Sequence, residues 1–260
     1  MIKVFENPRI SNYSISDGQT KTGNNEKYMR MFWEVNNEIV GQNKKWALIA
    51  KGGRVRKWAG NIDTVVDWSV SARKHYRKDK VARIAPEYIW FRKGICWNHI
   101  GGKIFAARYL DANSLFETAA PSIFFEDNDR MWYVLGYLNS CVSNALIHFI
   151  NPTLSTNVGD IIIQPLIEKN CNKNKVVELV KDCVLCSLTD WNSFETSWDF
   201  QHHPLLCEVP TIVEAFEQWQ TECDDRFNQM KVKEQELNRI FIDIYGLQNE
   251  LMSEVEDKDI

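Results

Sequence analysis

The chain carries few histidines and none of the short motifs that mark an enzyme's chemistry. Of five histidines only His202 and His203 are neighbours. Adjacent side chains point apart on regular structure, so a shared metal is not expected there. There is no glycine-rich phosphate loop, no Gly-x-Ser-x-Gly elbow, no His-Glu-x-x-His, and no His-x-Glu paired with Pro-Cys-x-x-Cys. A nuclease site of carboxylates and a lysine needs an Asp and a Glu-x-Lys on a strand. The one Glu-x-Lys, Glu256-Asp257-Lys258, lies in a charged tail. No catalytic, metal-ligating or cofactor-binding residue is therefore assigned to this chain.

Membrane and secretory signals are equally thin. The first residues, MIKVFENPRI, do not have the basic-then-apolar layout of a signal peptide. The apolar stretch Met131–Ile150 reaches 20 residues but includes Asn139, Ser140, Ser143, Asn144 and His148, which are costly in lipid. It reads as a buried helix, with no membrane contact expected. Seven cysteines, an odd number at irregular spacing, suit free thiols in a reducing cytoplasm. Cys183 and Cys186 make a single Cys-x-x-Cys, half of what a structural zinc site uses, and fit two small core residues on a helix.

What is present is charge, unevenly placed. Residues 1–110 hold 21 Lys/Arg against 9 Asp/Glu, a surplus of 12 positive charges, and residues 111–260 hold 10 against 26, a surplus of 16 negative. The net charge of −4 hides this split. A strongly basic half is a landing surface for a polyanion, ordinarily nucleic acid, and an acidic half would be repelled by the same ligand. With 44% hydrophobic residues, ten Trp and 13 Phe, the chain has material for an ordered core.

The pattern predicts an α+β fold. Short apolar runs at 46–50, 64–68, 88–91, 103–110 and 122–125 read as strands joined by turns such as Gly52-Gly53 and Gly101-Gly102. A helix is expected over Met131–Ile150, capped at Asn128 or Asp129 and stopped by Asn151-Pro152, and a last strand over 160–167. Lys175–Cys186 has helical spacing, and Trp191–Leu206 reads as a linker anchored by Trp191, Phe194, Trp198 and Phe200. From Thr211 to Gly246, Ala215, Phe216, Trp219, Cys223, Phe227, Met230, Leu237, Ile240, Phe241 and Ile244 form one apolar stripe.

The basic residues alternate with glycines and aromatics rather than forming a tail. In KGGRVRKWAGN, over 51–61, four cations flank two glycines, which allow close approach to phosphates. Lys51, Arg54, Arg56 and Lys57 are the leading candidates for phosphate contact, with Lys103 and Arg108 next. The loop GQTKTGNNEKYMR, over 18–30, offers Thr22, Asn24, Asn25 and Arg30 for groove contacts. Arg73, Lys74, Arg77, Lys78, Lys80 and Arg83 form a further basic stretch.

Several longer strings are specific. GQTKTGNNEKYMRMFWEV, RKWAGN, KGICWNHIGGKIFAARYL, LGYLNS and INPTLSTNVGDI, in that order, resemble the target-recognition region of the PglX family, the adenine-specific DNA methyltransferases of BREX phage-defence systems. DWNSFETSWDFQHHPLL, RFNQMKVKEQELNRIFIDIYGLQNEL and VEDKD resemble the C-terminal part of the same proteins. A looser similarity runs to type IIG restriction–modification enzymes and type I specificity subunits. The family's S-adenosylmethionine loop and NPPY-type motif have no counterpart here, since Asn7-Pro8-Arg9 and Asn151-Pro152-Thr153 lack the Pro-Tyr or Pro-Phe ending.

The resemblance implies a piece of such an enzyme that supplies specificity rather than chemistry. Residues 1–167 would form a target-recognition domain of short mixed or antiparallel strands lying on double-stranded DNA, and 168–260 a helical spacer docking on the methyltransferase domain or another defence protein. S-adenosylmethionine would serve the parent enzyme, not this chain. An alternative is a protein–protein module whose basic half docks an acidic partner such as a DNA mimic.

Overall fold

A computed structural model describes residues 2–102 and 104–260. In chain order the elements are β1 (Ser14–Ile15), α1 (Asn25–Tyr28), β2 (Met29–Met31), β3 (Trp46–Ala50), β4 (Thr64–Asp67), α2 (Val70–Lys78), β5 (Gly94–Trp97), β6 (Ala107–Leu110), β7 (Ser114–Phe116), β8 (Ser122–Phe125), α3 (Asn128–Leu138), α4 (Cys141–Ile150), α5 (Val158–Ile162), α6 (Asn170–Trp191) and α7 (Ile212–Tyr245). The fold is α+β. One antiparallel sheet has the order β1-β8-β5-β6, and the other the order β2-β4-β3-β7 with its β3–β7 pair parallel.

Alternation along the strands builds the layers, because successive side chains face opposite ways. Ile95, Trp97, Ile123 and Phe125 of the first sheet face α3, α4, α6 and α7. Between them on the strands, Cys96 and Phe124 face the other way, joining Ala50 and Phe116 of the second sheet in a separate cluster. Ala47, Ile49 and Val66 pack under Ala72 and Tyr76 of α2. Leu48 and Val65, on the opposite face of the second sheet, pack with Phe32 and Trp46, and Trp198 from the 192–211 loop joins that cluster.

The largest of these clusters crosses the boundary at 167–168. It joins Val134 and Leu138 of α3 and Leu146 of α4 to Val176 and Val180 of α6 and to Leu237 and Phe241 of α7. Contact between α3 and α6 is close at Gly136, where a Cβ would fall 2.6 Å from Val180 Cγ2. Residues 168–260 thus share a core with the sheet that precedes them.

Several local expectations are corrected. The run at 88–91 is no strand: Pro86 precedes a 3-10 turn over Glu87–Ile89, and Trp90 folds back to donate its indole N–H to Ala85 O at 2.7 Å. The 103–110 run becomes a strand only at Ala107. Met131–Ile150 belongs to two helices broken at Asn139-Ser140. Asp127, not Asn128 or Asp129, caps the first and Ser140 caps the second. Residues 160–167 begin in α5, where the Asp160 carboxylate accepts from the Asn157 amide at 2.8 Å, and Pro165 then forms an isolated bridge with Arg9.

The long final helix is as expected, capped by Thr211 and closed by Gly246 at φ +68°. Its apolar stripe is buried mainly from Met230 onward, while Phe216 and Phe227 remain exposed. Among the described residues no helix is long and apolar enough to cross a membrane.

Candidate nucleic-acid interface

The 51–61 loop is held from beneath. Gly52 and Gly53 take φ of +93° and +117°, where side chains are strained, and a Cβ on Gly52 would lie 3.1 Å from Ala119 O. The Asn61 amide donates to Arg54 O at 2.7 Å, and the Asn98 amide to Gly53 O at 2.8 Å. This leaves Arg54 on the surface. Lys51 is half-buried and close enough to Glu117 to oppose the rise that burial imposes on that carboxyl.

The other cations of this loop are turned inward. Arg56 donates to Ala59 O at 3.0 Å, to Ser187 O at 3.1 Å and to the Asp190 carboxylate at 2.6 Å, and lies over the Trp191 ring. Lys57 is ion-paired with the buried Glu234 of α7, which also accepts the Trp58 indole N–H at 2.6 Å. Both groups, expected on phosphates, fasten the loop to α6 and α7 in this structure. Arg108, a further phosphate candidate, is also turned inward. It is 1% exposed, within the fold rather than on it. Its Nη2 donates to Asn98 Oδ1 at 2.8 Å, and its Nε and Nη1 find no acceptor among the described residues. Arg108 therefore supports the loop through Asn98. Lys103 lies outside the described residues.

The four groove candidates serve local structure. Thr22 is fully buried and its hydroxyl donates to Asn25 Oδ1 at 2.6 Å. The Asn24 side chain caps α1 by accepting from Lys27 N at 3.0 Å. Arg30 donates to Glu26 O at 2.5 Å and Met29 O at 2.6 Å, curling over its own backbone. Asn24 and Asn25 stay exposed at the loop tip. Asn24 directly before Asn25-Glu26-Lys27 is itself a capping signal, legible in the sequence.

The structure gathers a different set of cations. Helix α2 starts at a Ser69 cap, and Tyr76 anchors it by donating to Asp67 O at 2.9 Å. Arg73 and Arg77 lie over the Trp90 ring. The 20–22 segment docks alongside: Lys21 and Arg83 exchange backbone hydrogen bonds at 2.9 and 2.8 Å, and a His75 ring nitrogen is 3.2 Å from Thr22 O. Tyr28 stacks on His75 with ring centres 4.8 Å apart. Lys21, Lys27, Lys74, Lys78, Lys80 and Arg83 are exposed on these segments. None of the six has a carboxylate ion-pair partner among the described residues. An open cleft of about 620 Å³ borders this set at Arg83, walled also by Ser16, Gln19, Arg77 and Thr118.

No family model matches the chain. Two curated proteins do. Adenine-specific methyltransferase PglX of Lacticaseibacillus casei (strain Zhang) is 37% identical over 98% of this chain, and adenine-specific methyltransferase BrxX of Escherichia coli O9:H4 (strain HS) is 30% identical over 80%. The chain matches the PglX and BrxX methyltransferases. It spans 23% and 17% of the length of these two relatives. Among solved structures, the type IIL restriction–modification enzyme MmeI in complex with DNA aligns with a TM-score of 0.57 over 95% of this chain and 34% of that one. At 10% identity that likeness is one of fold.

Proposed function

We propose that this PglX-like chain is the double-stranded-DNA recognition module of a site-specific adenine-N6 DNA methyltransferase acting in a BREX-type phage-defence system. The observation that carries the reading is the basic face of the 20–22 segment, α1, α2 and the 79–83 segment, whose six exposed cations have no carboxylate ion-pair partner among the described residues. Surface cations are ordinarily interspersed with acids, and a face left uncompensated favours a polyanion. The PglX and BrxX relatives are adenine-specific methyltransferases, and the solved neighbour MmeI was determined with DNA bound, which makes duplex DNA the polyanion of choice.

In the whole enzyme S-adenosylmethionine would supply the methyl group, and this chain would choose the site. The acidic α7, with Phe216 and Phe227 exposed on it, is suited to rest on protein rather than DNA, and the methyltransferase domain is its proposed seat.

The test is enrichment of a random duplex pool on this chain, followed by sequencing. A single short motif is the expected result. Binding with no sequence preference would restrict the chain to a non-specific DNA clamp. Retention of an acidic protein without retention of duplex would replace the DNA reading with protein docking.

A further inference from the structure

Lys21 and Arg83 are directly opposite each other in an antiparallel bridge. Each amide donates to the other's carbonyl, at 2.9 and 2.8 Å, so they form a hydrogen-bonded pair whose Cα atoms lie about 5.5 Å apart. Residues in that relation project to the same side of the ribbon, and like charges so placed destabilise it. Both are exposed, and neither has a carboxylate ion-pair partner among the described residues. Three of the nearby acids are held by other groups. Asp17 accepts the Tyr88 hydroxyl at 2.7 Å, Asp79 accepts the Val81 and Ala82 amides at 2.8 Å, and Glu87 pairs with Arg77 at 2.6 Å.

The ribbon is held firmly in spite of this repulsion. Thr20 is buried and its hydroxyl accepts from the Ala85 amide at 3.3 Å. Gly23 packs so closely on this stretch that a Cβ would fall 3.2 Å from Ala82 N, and its φ is +75°. Rotating the side chains apart is the only relief the backbone leaves.

We infer that Lys21 and Arg83 form a two-point clamp for one DNA backbone phosphate at the edge of the cleft walled by Gln19, Arg77 and Arg83. A phosphate between the two side chains turns a repulsive pair into two charge-assisted contacts, and the planar guanidinium gives the contact direction. The clamp rests on the DNA reading above.

The experiment uses the chain as it stands, with a 30-base-pair duplex read by fluorescence anisotropy between 50 and 300 mM salt. Lys21→Ala/Arg83→Ala should bind at least tenfold more weakly at 100 mM salt, with a log–log salt slope shallower by about one neutralised phosphate, ~0.9. The charge-matched Lys44→Ala/Lys45→Ala variant should keep the parent slope to within half a contact. Arg83→Glu separates function from folding. It places opposite charges across the bridge, so its Tm should equal or exceed the parent's while duplex binding is lost.

An unchanged slope in the Lys21/Arg83 variant, an equal loss in the Lys44/Lys45 control, or a lower Tm for Arg83→Glu overturns the clamp while leaving DNA recognition standing. If the parent chain binds no duplex at 50 mM salt, the DNA reading itself fails and the clamp with it.

Discussion

Lys57 and Glu234 lie 177 positions apart and meet as a largely buried ion pair that joins the 51–61 loop to the middle of α7. Trp58 adds its indole N–H to the same carboxylate, and Ser187 of α6 donates to Lys57 O and Ala59 O at 3.3 and 3.2 Å. One carboxylate thus holds two consecutive residues of a loop that begins in the basic half and ends against the acidic one. The two halves neutralise each other at this seam, so the charge on the surface differs from the charge in the sequence.

Removing one partner should be costly, because it strands the other in a desolvated place. Glu234→Leu is expected to lower stability by about 3 kcal/mol, because it strands both the Lys57 ammonium and the Trp58 indole N–H, and Lys57→Met alone by a smaller amount, because Glu234 keeps the Trp58 N–H as a partner. The double variant Lys57→Met/Glu234→Leu should recover most of the loss, because replacing both charges with apolar groups removes the stranded ion. Urea denaturation of the four proteins gives the coupling as a double-mutant cycle. Additive losses would mean that the pair is not a unit.

Arg54 and Arg56 are two positions apart, and the structure gives them opposite duties. Arg54 is exposed, while the Arg56 guanidinium is engaged by Asp190, Ser187 and Ala59. Arg54→Ala should leave the urea midpoint unchanged and shift the salt dependence of duplex binding by no more than one contact. Arg56→Ala should lower stability by about 1–2 kcal/mol, as expected for a half-buried charged hydrogen-bonding group, and leave the salt slope unaltered. Denaturation and anisotropy on the same two variants check the exchange of roles. A changed slope with Arg56→Ala would return that residue to the interface.

Much of this architecture is legible in the sequence. WALIA and SIFF are apolar runs bounded by turn residues, and both become strands. Thr211 and Gly246 bracket the last helix because a hydroxyl cap and a left-handed glycine are local devices, readable without knowing the rest of the fold. The duties of Arg56, Lys57 and Arg108 were not legible. Their partners Asp190, Glu234 and Asn98 sit 134, 177 and 10 positions away, and a basic run looks the same whether its charges face water or a distant carboxylate. The breaks at Asn139-Ser140 and Pro86 were in plain view, but the apolar run around each outweighed a single cap or turn residue. The Lys21–Arg83 relation depends on a bridge between segments some sixty residues apart, which no local pattern encodes.

The buried thiols and phenols set an alkaline limit on stability. Burial pushes the Cys141 thiol up from 9.0 to about 11 and raises Cys183 further, while Tyr133, Tyr137 and Tyr245 are raised for the same reason. Each of these groups is neutral when protonated, and its folded pKa lies above its unfolded value. The unfolded chain therefore releases protons first as the pH rises. Their contribution is fully present below the unfolded pKa, near 9 for the thiols, and is lost as the pH climbs from there through the folded value. Urea midpoints should be flat with respect to these groups up to about pH 8.5 and then fall between pH 9 and 11. Thiol reactivity gives an independent check at pH 8. Cys171, which is exposed, should react with a disulfide reagent at once, while Cys96 and Cys183, both buried, should react only at the rate of unfolding. Prompt native-state labelling of Cys183 would mean that α6 separates from α3 and α7 far more readily than their shared core allows.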